Sequence, residues 1–230
     1  MTGMNWERWA RATGIGFVVM FIVAFIVLGE TPKVNDSAQE IVSFFDGDRG
    51  RVLTAMILFG IAFSLFVLFI GAIASTLREA GRGGWGAVTI AAGAGFVALQ
   101  AVIGAIAGAL ALNVAAAGDE GVLTSLNTLT STVDVISAYF FATLVLAATI
   151  GLSRAGLVAT WYRWIGLIAA VLVYLHGTNW STSGFWSPTG GYLFVTIIAG
   201  LGWTLITSVL LYMSAPATAG APERAAVPTT

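Results

Sequence analysis

The residues of this 230-residue chain best suited to chemistry lie where hydrocarbon would be expected. Asp134 sits well inside residues 127–151, a run long and apolar enough to be a membrane-spanning helix. Asn127, Thr130, Ser131, Asp134 and Ser137 recur at helical spacing and form one polar stripe. A charged side chain at the centre of a bilayer costs about 2.5–3.5 kcal/mol on insertion scales. The carboxyl group must therefore be neutral, paired, or in contact with water in a cavity, and its stripe must face other helices. Such a group can bind a proton or a cation, or anchor a polar ligand by hydrogen bonds. It can equally be a protonated or hydrogen-bonded group that helps helices pack.

His176 is the only histidine and falls near the end of a later apolar run. It reads either as a pH-sensitive partner of Asp134 or as a residue favoured by the dipole at a helix C-terminus. Gln100, near the middle of another run, reads as interhelical hydrogen bonding or as a ligand contact. The candidate ligand-binding set is Asp134, Ser131, Ser137, Gln100 and His176. No catalytic residue, metal ligand or cofactor is predicted. HExxH and GxSxG are both missing, as is a Walker-type phosphate loop. One histidine and no cysteine argue against a zinc or di-metal site. Catalytic sites usually need several titrating groups within reach, so the reading leans away from an enzyme.

Composition sets the elements that must position these residues. The chain is 58% hydrophobic and 9% charged, where soluble domains are typically about 45–50% apolar and about 25% charged. That difference predicts an all-α polytopic membrane bundle. A net charge of -1 gives no reason to expect a nucleic-acid partner. Six spans are predicted, at about residues 14–29, 52–77, 85–112, 127–151, 162–178 and 192–213, within one transmembrane domain over residues 1–213. Residues 214–230, rich in Ala, Pro and Thr, are expected to be a disordered cytoplasmic tail.

The first loop should carry a short amphipathic helix. Ser37 and Glu40 fit a capping box, and Ile41, Val42, Phe44 and Phe45 give it an apolar face for the membrane surface or for lidding the bundle. Gly104 and Gly108 form a small-xxx-small pattern that favours close helix approach. Trp180, Phe185 and Trp186 suit an interfacial belt. Arg8, Arg11, Arg78, Arg82, Arg154, Arg163 and Arg224 fall on the side of the termini, against Lys33, Arg49 and Arg51 on the other. Lysine and arginine mark the cytoplasmic side, so both termini should be cytoplasmic in an inner (plasma) membrane. The polar residues then gather in the outer half, in a pocket formed mainly by the third, fourth and fifth spans.

Several stretches carry a resemblance: the Arg-flanked first helix, DSAQEIVSFF, RVLTAMILFGIAFSLFVLFIGAIASTLREAG, the polar start of the helix containing Asp134, and SRAGLVATWYRWIGLI. Over about residues 9–213 the chain resembles an uncharacterised bacterial family of six-helix membrane proteins known as a domain of unknown function. That resemblance implies a six-helix fold and supplies no activity or site residues. The expected function is non-enzymatic binding or passage of a small molecule, lipid or ion. The alternatives are a structural or accessory subunit of a membrane complex and an intramembrane enzyme. Expected partners are the lipid bilayer, a small-molecule or lipid ligand, and a second copy or another membrane protein.

Overall fold

The computed structural model describes residues 6–114 and 118–214. They form seven α-helices and, among the described residues, no strand. The helices are α1 (Trp6–Leu28), α2 (Ala38–Val42), α3 (Arg49–Glu79), α4 (Gly83–Ala109), α5 (Glu120–Arg154), α6 (Thr160–His176) and α7 (Gly191–Met213). Single π-helical turns, Ser43–Gly47 and Leu110–Val114, continue α2 and α4. Five helices, α1, α3, α4, α5 and α7, are long and apolar enough to cross a membrane. Helix length and composition thus make this a multi-pass α-helical membrane protein. The 17 residues of α6 span about 25 Å at about 1.5 Å per residue.

The long helices and α6 close into a ring. α1 packs on α3 and α7, α4 lies between α3 and α5, and α6 lies between α5 and α7. Each helix therefore turns one face toward the ring interior. The opposite faces of several helices carry exposed apolar side chains, among them Ile26, Ile57, Ile168 and Ile198.

Two helix starts differ from expectation. The first helix, predicted from about residue 14, already begins at Trp6. Arg11 is buried and donates to the Leu211 carbonyl at 3.4 Å, and the Arg8 guanidinium lies 4.7 Å from the centre of the Tyr212 ring. The end of α7 thus solvates these arginines within the helix. α5 begins at Glu120 and not near residue 127, because the Asp119 side chain caps it by accepting from Val122 N–H at 3.1 Å.

The capping box at Ser37 and Glu40 is present. Ile41, Phe44 and Phe45 are buried with Val52, Leu110 and Leu123. The apolar side of this segment is therefore turned onto the bundle. Trp180, Phe185 and Trp186 are exposed on the loop between α6 and α7.

The glycines that allow close approach are not the predicted pair. A Cβ at Gly104 would meet only Met56 Sδ at 4.0 Å, and one at Gly108 would meet nothing within 4 Å. Gly14 is one tight position: a Cβ there would lie 2.8 Å from Ser208 Cβ and 2.9 Å from the Phe69 ring. That proximity lets the Ser208 hydroxyl accept from Ile15 N–H at 3.2 Å and donate to the Arg11 carbonyl at 2.5 Å. The hydroxyl inserts between two groups that pair with each other in an unperturbed helix. The expected disordered tail lies outside the described residues, apart from Ser214.

Candidate functional site

The polar stripe of α5 faces the ring interior. Asn127, Ser131 and Ser137 are buried, while Thr130 and Asp134 are half-buried. All five line a partly open cavity of about 280 Å³. The cavity lies toward the end of the bundle carrying the loops 29–37 and 177–190, whose Thr31, Pro32, Pro188 and Thr189 also line it. Phe44 and Phe45 cover the same end.

Helical spacing explains why one wall carries the polar groups. Positions 127, 130, 131, 134, 137, 138 and 141 of α5 all reach the cavity, at steps of three and four. Gln100 on α4 faces this row. Its Nε2 donates to Ser137 Oγ at 3.0 Å and lies 3.4 Å from Asp134 Oδ1. From the other side, His176 Nε2 is 3.0 Å from Asp134 Oδ2. Asp134, Gln100, Ser137 and His176 thus form one hydrogen-bonded cluster. Ser131 lines the cavity but bonds only to its own helix, donating to the Asn127 carbonyl at 3.4 Å.

The placement of His176 depends on how α6 ends. Tyr139 on α5 donates from its hydroxyl to the Gly177 carbonyl at 2.7 Å. A side chain at position 177 would collide with the Tyr139 ring, so glycine is needed there. The chain then turns, and Asn179, fully buried, sets its Nδ2 3.1 Å from His176 Nδ1. Both ring nitrogens of His176 are therefore occupied.

With the Asn179 amide placed as it is, its NH₂ faces Nδ1 of the imidazole while Nε2 faces Asp134. Turning the amide over would bury NH₂ hydrogens without a partner; as placed, the group left unpaired is the Asn179 carbonyl oxygen, Oδ1. Buried orphan N–H groups are the rarer case, so the present orientation is favoured. Asp134 is thus approached at one oxygen by Gln100 and at the other by His176. The Asp134 side chain is 32% exposed, against 3% for His176. Since Asp134 borders the cavity, its carboxylate is the part of the pair that a cavity occupant meets.

The opposite wall is apolar and aromatic. Phe17, Phe21 and Phe25 of α1 and Phe59 and Phe63 of α3 line it. Ring contacts link them to Phe96 and Phe141, which stack with centroids 4.7 Å apart. The expectation of a pocket formed mainly by the third, fourth and fifth spans (α4, α5 and α6) accounts for the polar side alone. α1, α3 and α7 supply the rest.

Every candidate residue, Asp134, Ser131, Ser137, Gln100 and His176, borders this cavity. Sequence reasoning missed Asn179 and the phenylalanine wall. The His-x-x-Asn spacing at the end of α6 was the available signal for Asn179. Nothing local separates a phenylalanine that faces an interior cavity from one that faces lipid. Among the described residues, no group of three or more His, Cys, Asp or Glu side chains is placed to hold a metal ion. No protein-family profile, curated protein or solved structure matches this chain.

Proposed function

We propose that this protein binds a small molecule, lipid or ion in its cavity, or lets one pass, without catalysing a reaction. The observation carrying this reading is the hydrogen-bonded cluster of Asp134, His176, Gln100 and Ser137 on the wall of a cavity of about 280 Å³. Ligand pockets typically start near about 300 Å³ and combine apolar walls with a few polar groups. A structural subunit needs no such void. A serine hydrolase needs a histidine nitrogen free to take the hydroxyl proton, and His176 has both nitrogens committed.

The same reading has the chain cross a bacterial inner membrane six times, with both termini cytoplasmic. Helix α6 is the sixth crossing. Its exposed side chains Trp161, Trp164, Ile168 and Val171 suit lipid, and its packing between α5 and α7 supports this reading. The basic residues support the orientation: Arg82 donates to the Arg154 carbonyl at 3.0 Å, so those two basic turns share the end away from the cavity. The cavity then opens toward the outer half.

Native mass spectrometry of the purified protein tests the binding role. Wild type should carry a bound adduct that is lost in both Asp134→Asn and Gly104→Leu. The second variant fills the cavity, because Gly104 lines it with only Met56 Sδ near its missing Cβ. Identical spectra from all three proteins would sink the binding role.

A further inference from the structure

We propose that the occupant is a protonated amine with an apolar, preferably aromatic, body. The inference rests on the binding role above and adds the ligand's chemistry. It follows from where the hydrogens of the polar wall already point. Thr130 and Ser131 donate to the Asn127 carbonyl, and Ser137 donates to the Asp134 carbonyl. Gln100 directs its amide hydrogens to Ser137 and Asp134, and His176 Nε2 faces Asp134. The donors of this wall are consumed internally. Lone pairs remain: the Asp134 carboxylate, the Thr130 and Ser131 hydroxyl oxygens, and the Gln100 carbonyl. A ligand that satisfies such a wall must bring N–H or O–H donors. Among the described hydroxyls bordering the cavity, those free to donate are Thr31 and Thr189, in the loops at its end.

Charge narrows the class further. Asp134 is the more exposed member of its pair with His176, and no lysine or arginine lines the cavity. A carboxylate in such surroundings is strongly stabilised by a cation and strongly destabilised by an anion. At this end Glu30, Asp36, Glu40, Asp46, Asp48, Asp119 and Glu120 outnumber Lys33, Arg49 and Arg51, and Lys33 and Arg51 are paired with Glu30 and Asp48. Their field favours the approach of cations. Phe141 lies two helical turns from Asp134 and Phe96 one turn from Gln100, both bordering the same cavity. An ammonium at Asp134 therefore leaves its apolar body among phenylalanine rings, whose faces also attract positive charge.

Three isosteric probes decide the matter: 3-phenylpropylammonium, the hydrocarbon butylbenzene, and the anion 3-phenylpropanoate. Binding to the full chain in lipid nanodiscs is read by thermal shift and by titration. Wild type should bind the cation on the order of tenfold or more tightly than butylbenzene, and the anion least. Asp134→Asn should reduce the cation to the level of the hydrocarbon, and Gly104→Leu should abolish binding of both. Thr130→Val with Ser131→Ala keeps the carboxylate, removes two acceptors, and should weaken the cation several-fold. The preference among probes in wild type needs no variant, so it stands even if Asp134→Asn fails to fold. If butylbenzene or the anion binds as well as the cation, with Gly104→Leu still blocking it, the cavity role survives and the amine assignment falls. If no probe binds wild type, or Gly104→Leu changes nothing, both fall together.

Discussion

Two buried polar clusters occupy opposite halves of this ring of helices, and they differ in where their valences end. Toward the end away from the cavity, Trp203 donates from its indole to Thr149 Oγ1 at 3.0 Å. The Tyr162 hydroxyl meets Thr207 Oγ1 at 2.9 Å, and Thr207 donates to the Trp203 carbonyl at 2.7 Å. All four side chains are buried and sit among the largest apolar cluster of the protein. This group closes on itself and packs helices α5, α6 and α7 together. The Asp134 cluster ties α4, α5 and α6 by similar bonds, yet it borders a void and presents unused acceptors to it. Buried polarity alone therefore does not mark a site. Buried polarity with open valence facing a cavity does.

The contrast can be broken by mutation. Trp203→Ala should have the largest effect on folding, about 3–5 kcal/mol from the cavity left behind, measured by thermal unfolding in detergent. Thr149→Val keeps the volume and strands the Trp203 indole N–H, so a loss of about 1–3 kcal/mol is expected in the same assay. Asp134→Asn should change ligand-free stability by less than about 1 kcal/mol. The Asn oxygen keeps an acceptor facing His176 Nε2. If Asp134→Asn unfolds the protein as severely as Trp203→Ala, the two clusters serve the same packing role and the distinction fails.

The smallest effect concerns the segment covering the cavity. Hydrogen bonds from the Ser37 side chain, and then from its backbone N–H, hold the exposed Glu40 carboxyl below its ordinary value of 4.5. Because the folded value is lowered, this contribution is complete above about pH 4.5. It disappears as pH falls through the lowered value. Amide NMR signals of Ser37 and Glu40 should follow that titration, while those of Asn179 should not move with it.

Much of the fold was legible locally. The six apolar runs all became helices, since apolar composition and helical spacing act within a few turns. The starts of α1 and α5 were read too late for different reasons. Arg8 and Arg11 fell outside the predicted span because their partners, Tyr212 and the Leu211 carbonyl, lie at the far end of the chain. The predicted start near residue 127 took no account of Asp119, which caps the helix at Glu120. The small-residue pair Gly104 and Gly108 failed because a motif records the absence of side chains and says nothing of what approaches. At Gly104 the space was left for the cavity.

The sequence by itself determined that this is a helical membrane protein and that Asn127, Thr130, Ser131, Asp134 and Ser137 share one face. Both conclusions rest on composition and on the helical repeat, which need no knowledge of distant residues. Tertiary structure alone decided that this face borders a void, that Gln100 and His176 close on Asp134, and that a phenylalanine wall stands opposite. Those contacts join residues 34 and 42 positions apart or more. They exist because six helices close into a ring, and ring closure is a property of packing between helices that no local pattern encodes.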